Sequence, residues 1–273
     1  MRLAKFAVVA FALLTAIGVS QSSADIGAGQ SSAERLKEAK SAFDRKDYSA
    51  AVRLWRPLAE GGNAEAQRFI GISYENGHGV PRNGPQAVEW FRKAAAQGDA
   101  QAEYRLGVLF VVGSDVLPED PAQGLALMER AGEHGYLWSF FIIGEYYRTG
   151  SHAIPEDAAK AVSWYRRGAD LGDVLSQSAM GFAYEYGRGV TKDIGQAMAW
   201  YRKAADQGDV GSLMVLGRHY EYGEGVEVNK DAALCWYQKA AQSDGRFNRT
   251  QAEQAIAHLG KPVSSDKDRG QCQ

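Results

Sequence analysis

Five histidines, one Ser-x-x-Lys run, two cysteines and several short glycine loops are the features of this 273-residue chain that could do chemistry. The histidines are His78, His134, His152, His219 and His258. A helical zinc site needs two imidazoles at i and i+4 with a carboxylate beside them. No two of these histidines stand so, and no metal is expected. Gly77-His78-Gly79 and Gly187-Arg188-Gly189 hint at a dinucleotide loop. The third glycine is missing, however, and both runs follow a helical pattern rather than a strand. Backbone N–H groups would therefore not cradle a phosphate, and no cofactor is expected. Ser264-Ser265-Asp266-Lys267 has the serine–lysine spacing of penicillin-recognising enzymes, but it lies in a polar tail with no periodic segment to hold it. With no nucleophile beside a base on an ordered helix, the chain reads as non-catalytic.

The elements that would position any such group are copies of one unit. Gln86-Ala87-Val88-Glu89-Trp90-Phe91-Arg92-Lys93-Ala94 recurs around Trp164, Trp200 and Trp236, with degenerate copies at Leu54-Trp55 and Leu127-Met128. Glycines follow at Gly62, Gly98, Gly135, Gly172 and Gly208. Two further series, Gly71, Gly107, Gly144, Gly181, Gly217 and Gly77, Gly113, Gly150, Gly187, Gly223, advance by 36, 37, 37 and 36 residues. Within a unit, Ala87, Trp90, Phe91, Ala94 and Ala95 form one helical stripe, and Ala102, Leu106, Gly107, Leu109 and Phe110 form a second. The mid-helix glycines mark a close approach between helices, which we expect to be met by alanines such as Ala94 and Ala204 on the facing helix. A single helix pair cannot bury its apolar face, so stacked pairs are required. The expectation is one all-α solenoid of antiparallel helix pairs over residues 33–259. It comprises five full units, a divergent sixth ending in Thr250–Leu259, and a cap helix over Ala33–Arg45. Residues 25–32 and 260–273, small and polar, are expected to be loose.

The remaining segment is N-terminal. Arg2 and Lys5 precede 14 residues, Phe6 to Val19, that are nearly all apolar. About 20 are needed to span a bilayer, so the run reads as a secretory signal with cleavage after Ala24; an uncut anchor is the alternative. Either way the body would sit in the periplasm or be secreted. No later stretch approaches membrane length. Net charge is −2, from 31 Lys+Arg and 33 Asp+Glu. That balance lacks the basic face that nucleic-acid binding requires.

The repeat also serves as its own control for sites. Trp90, Trp164, Trp200 and Trp236 recur with the period, so they are assigned to the core. Two outward positions of the second helix are Glu65 and Gln67 in the first unit and Gln101 and Glu103 in the next, but Trp138 and Phe140 in the third. That aromatic pair, with Tyr147 and His152 nearby, is a candidate partner-binding patch. The alternative is a satellite core beneath the longer loops that follow Gly113 and Gly150. Cys235 takes the slot of Glu89, Ser163 and Ala199, and Cys272 lies on the tail. An even cysteine count outside the cytoplasm favours a bond between them, with two free thiols as the alternative.

The run from Lys192 to Asp209, Lys-Asp-Ile-Gly-Gln-Ala-Met-Ala-Trp-Tyr-Arg-Lys-Ala-Ala-Asp-Gln-Gly-Asp, resembles a Sel-one-like repeat (SLR). So does Tyr74-Glu75-Asn76-Gly77-His78-Gly79-Val80, which recurs at Tyr184 to Val190 and Tyr220 to Val226. The resemblance implies a right-handed, tetratricopeptide-like superhelix of 36–37-residue repeats. It also implies a non-catalytic, exported adaptor or regulator that binds a protein partner, such as a membrane sensor or cell-envelope component. Two other functions stay open: a cell-wall-binding protein or weak penicillin-recognising hydrolase, and a secreted protein that binds a host factor.

Overall fold

The computed structural model describes residues 31–114, 116–243, 246–260 and 272, with side chains of 246–248 left aside. The proposed signal segment and most of the C-terminal tail lie outside these residues. Thirteen helices follow one another among the described residues. They are α1 Ser32–Asp44, α2 Tyr48–Glu60, α3 Ala64–Asn76, α4 Gly84–Ala95, α5 Ala100–Val112, α6 Pro121–Glu133 and α7 Trp138–Thr149. The series continues with α8 Ala158–Asp170, α9 Val174–Tyr186, α10 Ile194–Asp206, α11 Val210–Tyr222, α12 Lys230–Ala241 and α13 Arg246–Leu259. Each helix packs against its neighbours in sequence, as in an α-solenoid. Helix α1 caps the first pair, α2–α3, and α12–α13 is the sixth.

Local sequence sets each helix. Asn83 precedes α4 and its side chain accepts from Gln86 N; Pro85 sits in the first turn, where its missing N–H costs nothing. Ala87, Trp90, Phe91 and Ala94 then face inward and are buried. Trp90 reaches back into the cluster of Val52, Trp55 and Ile70, so each pair closes the core of the one before it. Trp200 does the same with Tyr165 and Met180.

The mid-helix glycines do not meet alanines. A Cβ added at Gly71 would lie 2.6 Å from the Phe91 ring, and one at Gly181 would lie 2.6 Å from the Tyr201 ring. Gly144 and Gly217 face Tyr165 and Tyr237 in the same way, while Gly107 faces Met128 and Gly124. The residue after Trp90, Trp164, Trp200 and Trp236 is thus a ring packed against a glycine of the preceding helix. The alanines fill the rest of the seam.

The corners are pinned by one apolar side chain each. Val80, Val190 and Val226 pack on the neighbouring clusters in the regular corners. In the longer corners Leu117 and Ile154 do this work and are buried. Leu117 and Ile154 join core clusters that do not include Trp138.

Candidate functional site

Repeat-to-repeat comparison locates where the solenoid departs from itself. The inner of the two positions read as outward is buried in all five units: Gln67, Glu103, Phe140, Gln177 and Leu213. Phe140, at 1% exposure, is therefore core rather than contact surface. It stacks on Trp164, ring centroids 6.1 Å apart, under the Arg167 guanidinium. The polar occupants of this slot survive burial because each is bonded. Gln67 Nε2 donates to the Ala59 carbonyl at 3.0 Å, and Gln177 Nε2 donates to the Ala169 carbonyl at 3.2 Å. Glu103, with no exposed surface, meets Arg130 Nη2 at 2.5 Å and His134 Nδ1 at 2.8 Å. A polar residue in a repeat slot was no guide to exposure.

The other position is open in the third unit. Trp138 is 38% exposed. Around it stand Tyr104 from α5 (5.4 Å between ring centroids) and Tyr136 from the α6–α7 corner (6.1 Å). Tyr104 and Tyr136 are themselves 5.0 Å apart. Burial, helped by the neighbouring Tyr136 and Tyr146 hydroxyls, pushes the Tyr104 phenol up to about 12. Burial likewise raises Tyr136, against the pull of Arg105 and Arg68. Both hydroxyls therefore stay protonated.

Sequence reasoning missed Tyr104 and Tyr136, although Tyr136 carried a signal. It occupies the slot of Asn63, Asp99, Asp173 and Asp209, each of which caps its helix by accepting a backbone N–H. In α7 that cap is gone, and Leu137 at the start of the helix makes no side-chain bond. A lost cap costs about 1 kcal/mol. An aromatic residue kept there against that cost marks a place where surface chemistry outweighs helix stability. Tyr136→Asp is expected to stabilise the chain by about 1 kcal/mol, raising Tm roughly 2–4 °C, while weakening partner binding. A thermal melt showing destabilisation would refute the cap argument.

Tyr147 is a structural residue. It stands where Tyr74, Tyr184 and Tyr220 stand in sister units, each accepting from an arginine (Arg56, Arg166, Arg202). It is half-buried, with Lys160 Nζ 5.4 Å over its ring. His152 is exposed and sits edge-on to Tyr146, 5.8 Å between rings. With Ala153 it holds a left-handed backbone, φ 53° and 56°, which L side chains adopt at a cost of about 1–2 kcal/mol each.

Ionic straps between the second helices of successive units are irregular: among the described residues neither α5–α7 nor α7–α9 has one. Glu75–Arg105 ties α3 to α5, and Glu185–Arg218 ties α9 to α11, each at 2.7 Å. Between α7 and α9 the positions equivalent to Glu185 and Arg218 are Arg148 and Phe182. Arg148 turns to Glu145 of its own helix at 2.6 Å, which with the Tyr165 hydroxyl overcomes burial and holds the Glu145 carboxyl below its usual range. Phe182 is left 47% exposed. A groove of about 540 Å³ opens beside it, walled by Phe141, Val162, Tyr165, Leu175 and Ala179.

The other assigned residues are scattered. Trp90, Trp200 and Trp236 are buried. Trp164 is only partly so, with Arg167 over its ring and Phe140 stacked on it. Cys235 and Cys272 are joined in a disulfide, Cα–Cα 5.7 Å. The five histidines are far apart in the chain and hold separate partners. His78 stacks on Tyr48, His219 is buried with Nδ1 2.7 Å from the Glu224 carbonyl, and His258 lies 3.7 Å from Glu221. Among the described residues no group of three or more His, Cys, Asp or Glu could hold a metal, and no helix is long and apolar enough to cross a membrane. Ser264–Lys267 lies outside the described residues.

Comparison with known proteins agrees with this layout. The Sel1 repeat family model matches residues 43–63, 64–99, 100–136, 141–173, 174–209 and 212–244. A Sel1 repeat protein from Oxalobacter formigenes superposes with a TM-score of 0.67 at 26% identity, covering 86% of this chain and 95% of that one. The structure of c5321, a protective antigen of uropathogenic Escherichia coli with an SLR fold, gives 0.62 at 32% identity, covering 77% of this chain and 49% of that one. In sequence, 66 residues are 39% identical to DAP3-binding cell death enhancer 1 of Rattus norvegicus. That stretch is 24% of this chain and 13% of that protein, so the chain spans a small part of this relative.

Proposed function

Because this chain belongs to the Sel1 repeat family, we propose that it is a non-catalytic adaptor that holds a protein partner on its third helix pair. The solenoid fold of this family is typical of protein–protein adaptors. The observation that carries the assignment is Tyr136, an aromatic residue in a slot that caps the sister helices, set beside the exposed Trp138. Exposed, rigid aromatic residues ringed by internally paired charges are the usual anchors of a binding surface. The basic start and apolar run of the first 24 residues support an adaptor that works outside the cytoplasm, where a membrane sensor or a cell-envelope component would be within reach. Cross-linking in intact cells, followed by recovery of the tagged chain, tests both parts. One specific partner is expected in the periplasmic or secreted fraction, and Trp138→Ala is expected to lose it. Recovery of the chain from the cytoplasm would refute the location, and capture indifferent to Trp138 would refute the surface.

A further inference from the structure

Three properties of the Tyr104–Tyr136–Trp138 surface narrow the partner's chemistry. The first is shape. The three rings meet at 51°, 41° and 82°, so they form ridges and notches rather than a flat platform. The second is charge. The basic side chains nearest the surface have carboxylate partners within the chain. Arg68 is held by Asp99 at 3.0 Å, Arg105 by Glu75 at 2.7 Å, and Arg130 and His134 by the buried Glu103. Little net charge is left to recognise an ionic ligand. The third is hydrogen bonding. The Tyr104 and Tyr136 hydroxyls and the Trp138 indole N–H make no hydrogen bond among the described residues, so three donors are left without an internal acceptor.

A complementary ligand is therefore neutral, compactly apolar, and rich in unpaired acceptors. A polyproline II segment meets all three conditions. It has no internal hydrogen bonds, so its carbonyls are free to accept, and its pyrrolidine rings fit between aromatic faces. Its stiffness also lowers the ordering cost of binding. A helical ligand has its own carbonyls satisfied. A glycan stacks its ring on a flat aromatic face, and these steeply angled rings offer none. We propose that Tyr104, Tyr136 and Trp138 bind a neutral, proline-rich extended segment of the partner, which rests on the third helix pair being the contact face.

Isothermal titration of the full chain with acetylated, amidated decaproline and with a Pro-Pro-Leu repeat peptide tests this. At least one should bind, roughly tenfold or more weaker to Trp138→Ala, as expected for an anchor residue. The affinity should hold between about 0.05 and 0.5 M salt, since no charge pair is formed. Tyr136→Asp, whose fold the restored cap supports, should weaken binding as well, which covers the case in which Trp138→Ala melts early. The inference fails if neither peptide binds, if binding ignores both substitutions, or if an alanine-based helical peptide or a soluble cell-wall oligosaccharide binds there instead. If cross-linked capture depends on Trp138 while the peptides neither bind nor compete, the adaptor assignment stands and the proline assignment falls. If capture ignores Trp138, the surface itself is wrong.

Discussion

Trp200→Ala is expected to destabilise the chain by about 3–5 kcal/mol, the range for deleting a buried large aromatic side chain. Trp200 is 6% exposed and packs with Tyr165, Met180 and Ala183 of the preceding pair, with Lys203 Nζ 3.7 Å above its ring. It therefore joins two units rather than furnishing one. In a solenoid, stability is a sum of unit and interface contributions, so the loss should concentrate at the joint between α8–α9 and α10–α11. Urea melts followed by circular dichroism should show a lower midpoint and a broadened transition. Trp138→Ala, at a half-open surface, should shift the same curve by no more than about 0.5 kcal/mol. Equal shifts for the two substitutions would show that core and surface have been sorted wrongly.

The second large effect is expected on reduction of Cys235–Cys272. The bond closes a loop of sequence separation 37 that contains α13 entirely. Loop-closure entropy for that length gives about 4 kcal/mol of stabilisation. Cys235 lies on α12, whose Trp236 and Tyr237 share a cluster with Ala252 of α13, and Cys272 packs against the same cluster. Opening should therefore be confined to the last pair. Hydrogen exchange with and without a dithiol reductant, or on Cys272→Ser, should show faster exchange in α12–α13 and unchanged protection in α1–α9. Uniform loss along the chain would contradict the local, nearest-neighbour account; no change at all would contradict the staple.

Much of the fold was legible because a repeat is read several times over. Glycine at 36- and 37-residue steps and tryptophan stripes at helical spacing are local signals, and each recurs. They depend only on backbone conformation and on which side chains avoid water. The cap helix, expected from Ala33, begins at Ser32 behind a Ser31–Glu34 capping box. The four tryptophans were assigned to the core by periodicity alone, and three of them, Trp90, Trp200 and Trp236, are buried there.

The surface was less legible. Phe140 was grouped with Trp138 because its slot is polar in sister units, and Tyr147 because it lies nearby, yet one stacks on Trp164 and the other fills the slot of Tyr74. Exposure is not a property of residue type. Gln67 and Glu103 are buried because partners are positioned to bond them, the Ala59 carbonyl and the more distant Gln97 amide for Gln67, and Arg130 and His134 from the next unit for Glu103. The partner of each mid-helix glycine also had to wait for the packing, since a ring and an alanine can both suit a helix that lacks a Cβ.

By itself the sequence determined the unit, its period and its helices, because these rest on contacts within about eight residues. Only the tertiary structure decided which rings face water, which charges cancel and where the straps are missing. Those depend on how one unit sits on the next, and no single unit encodes that.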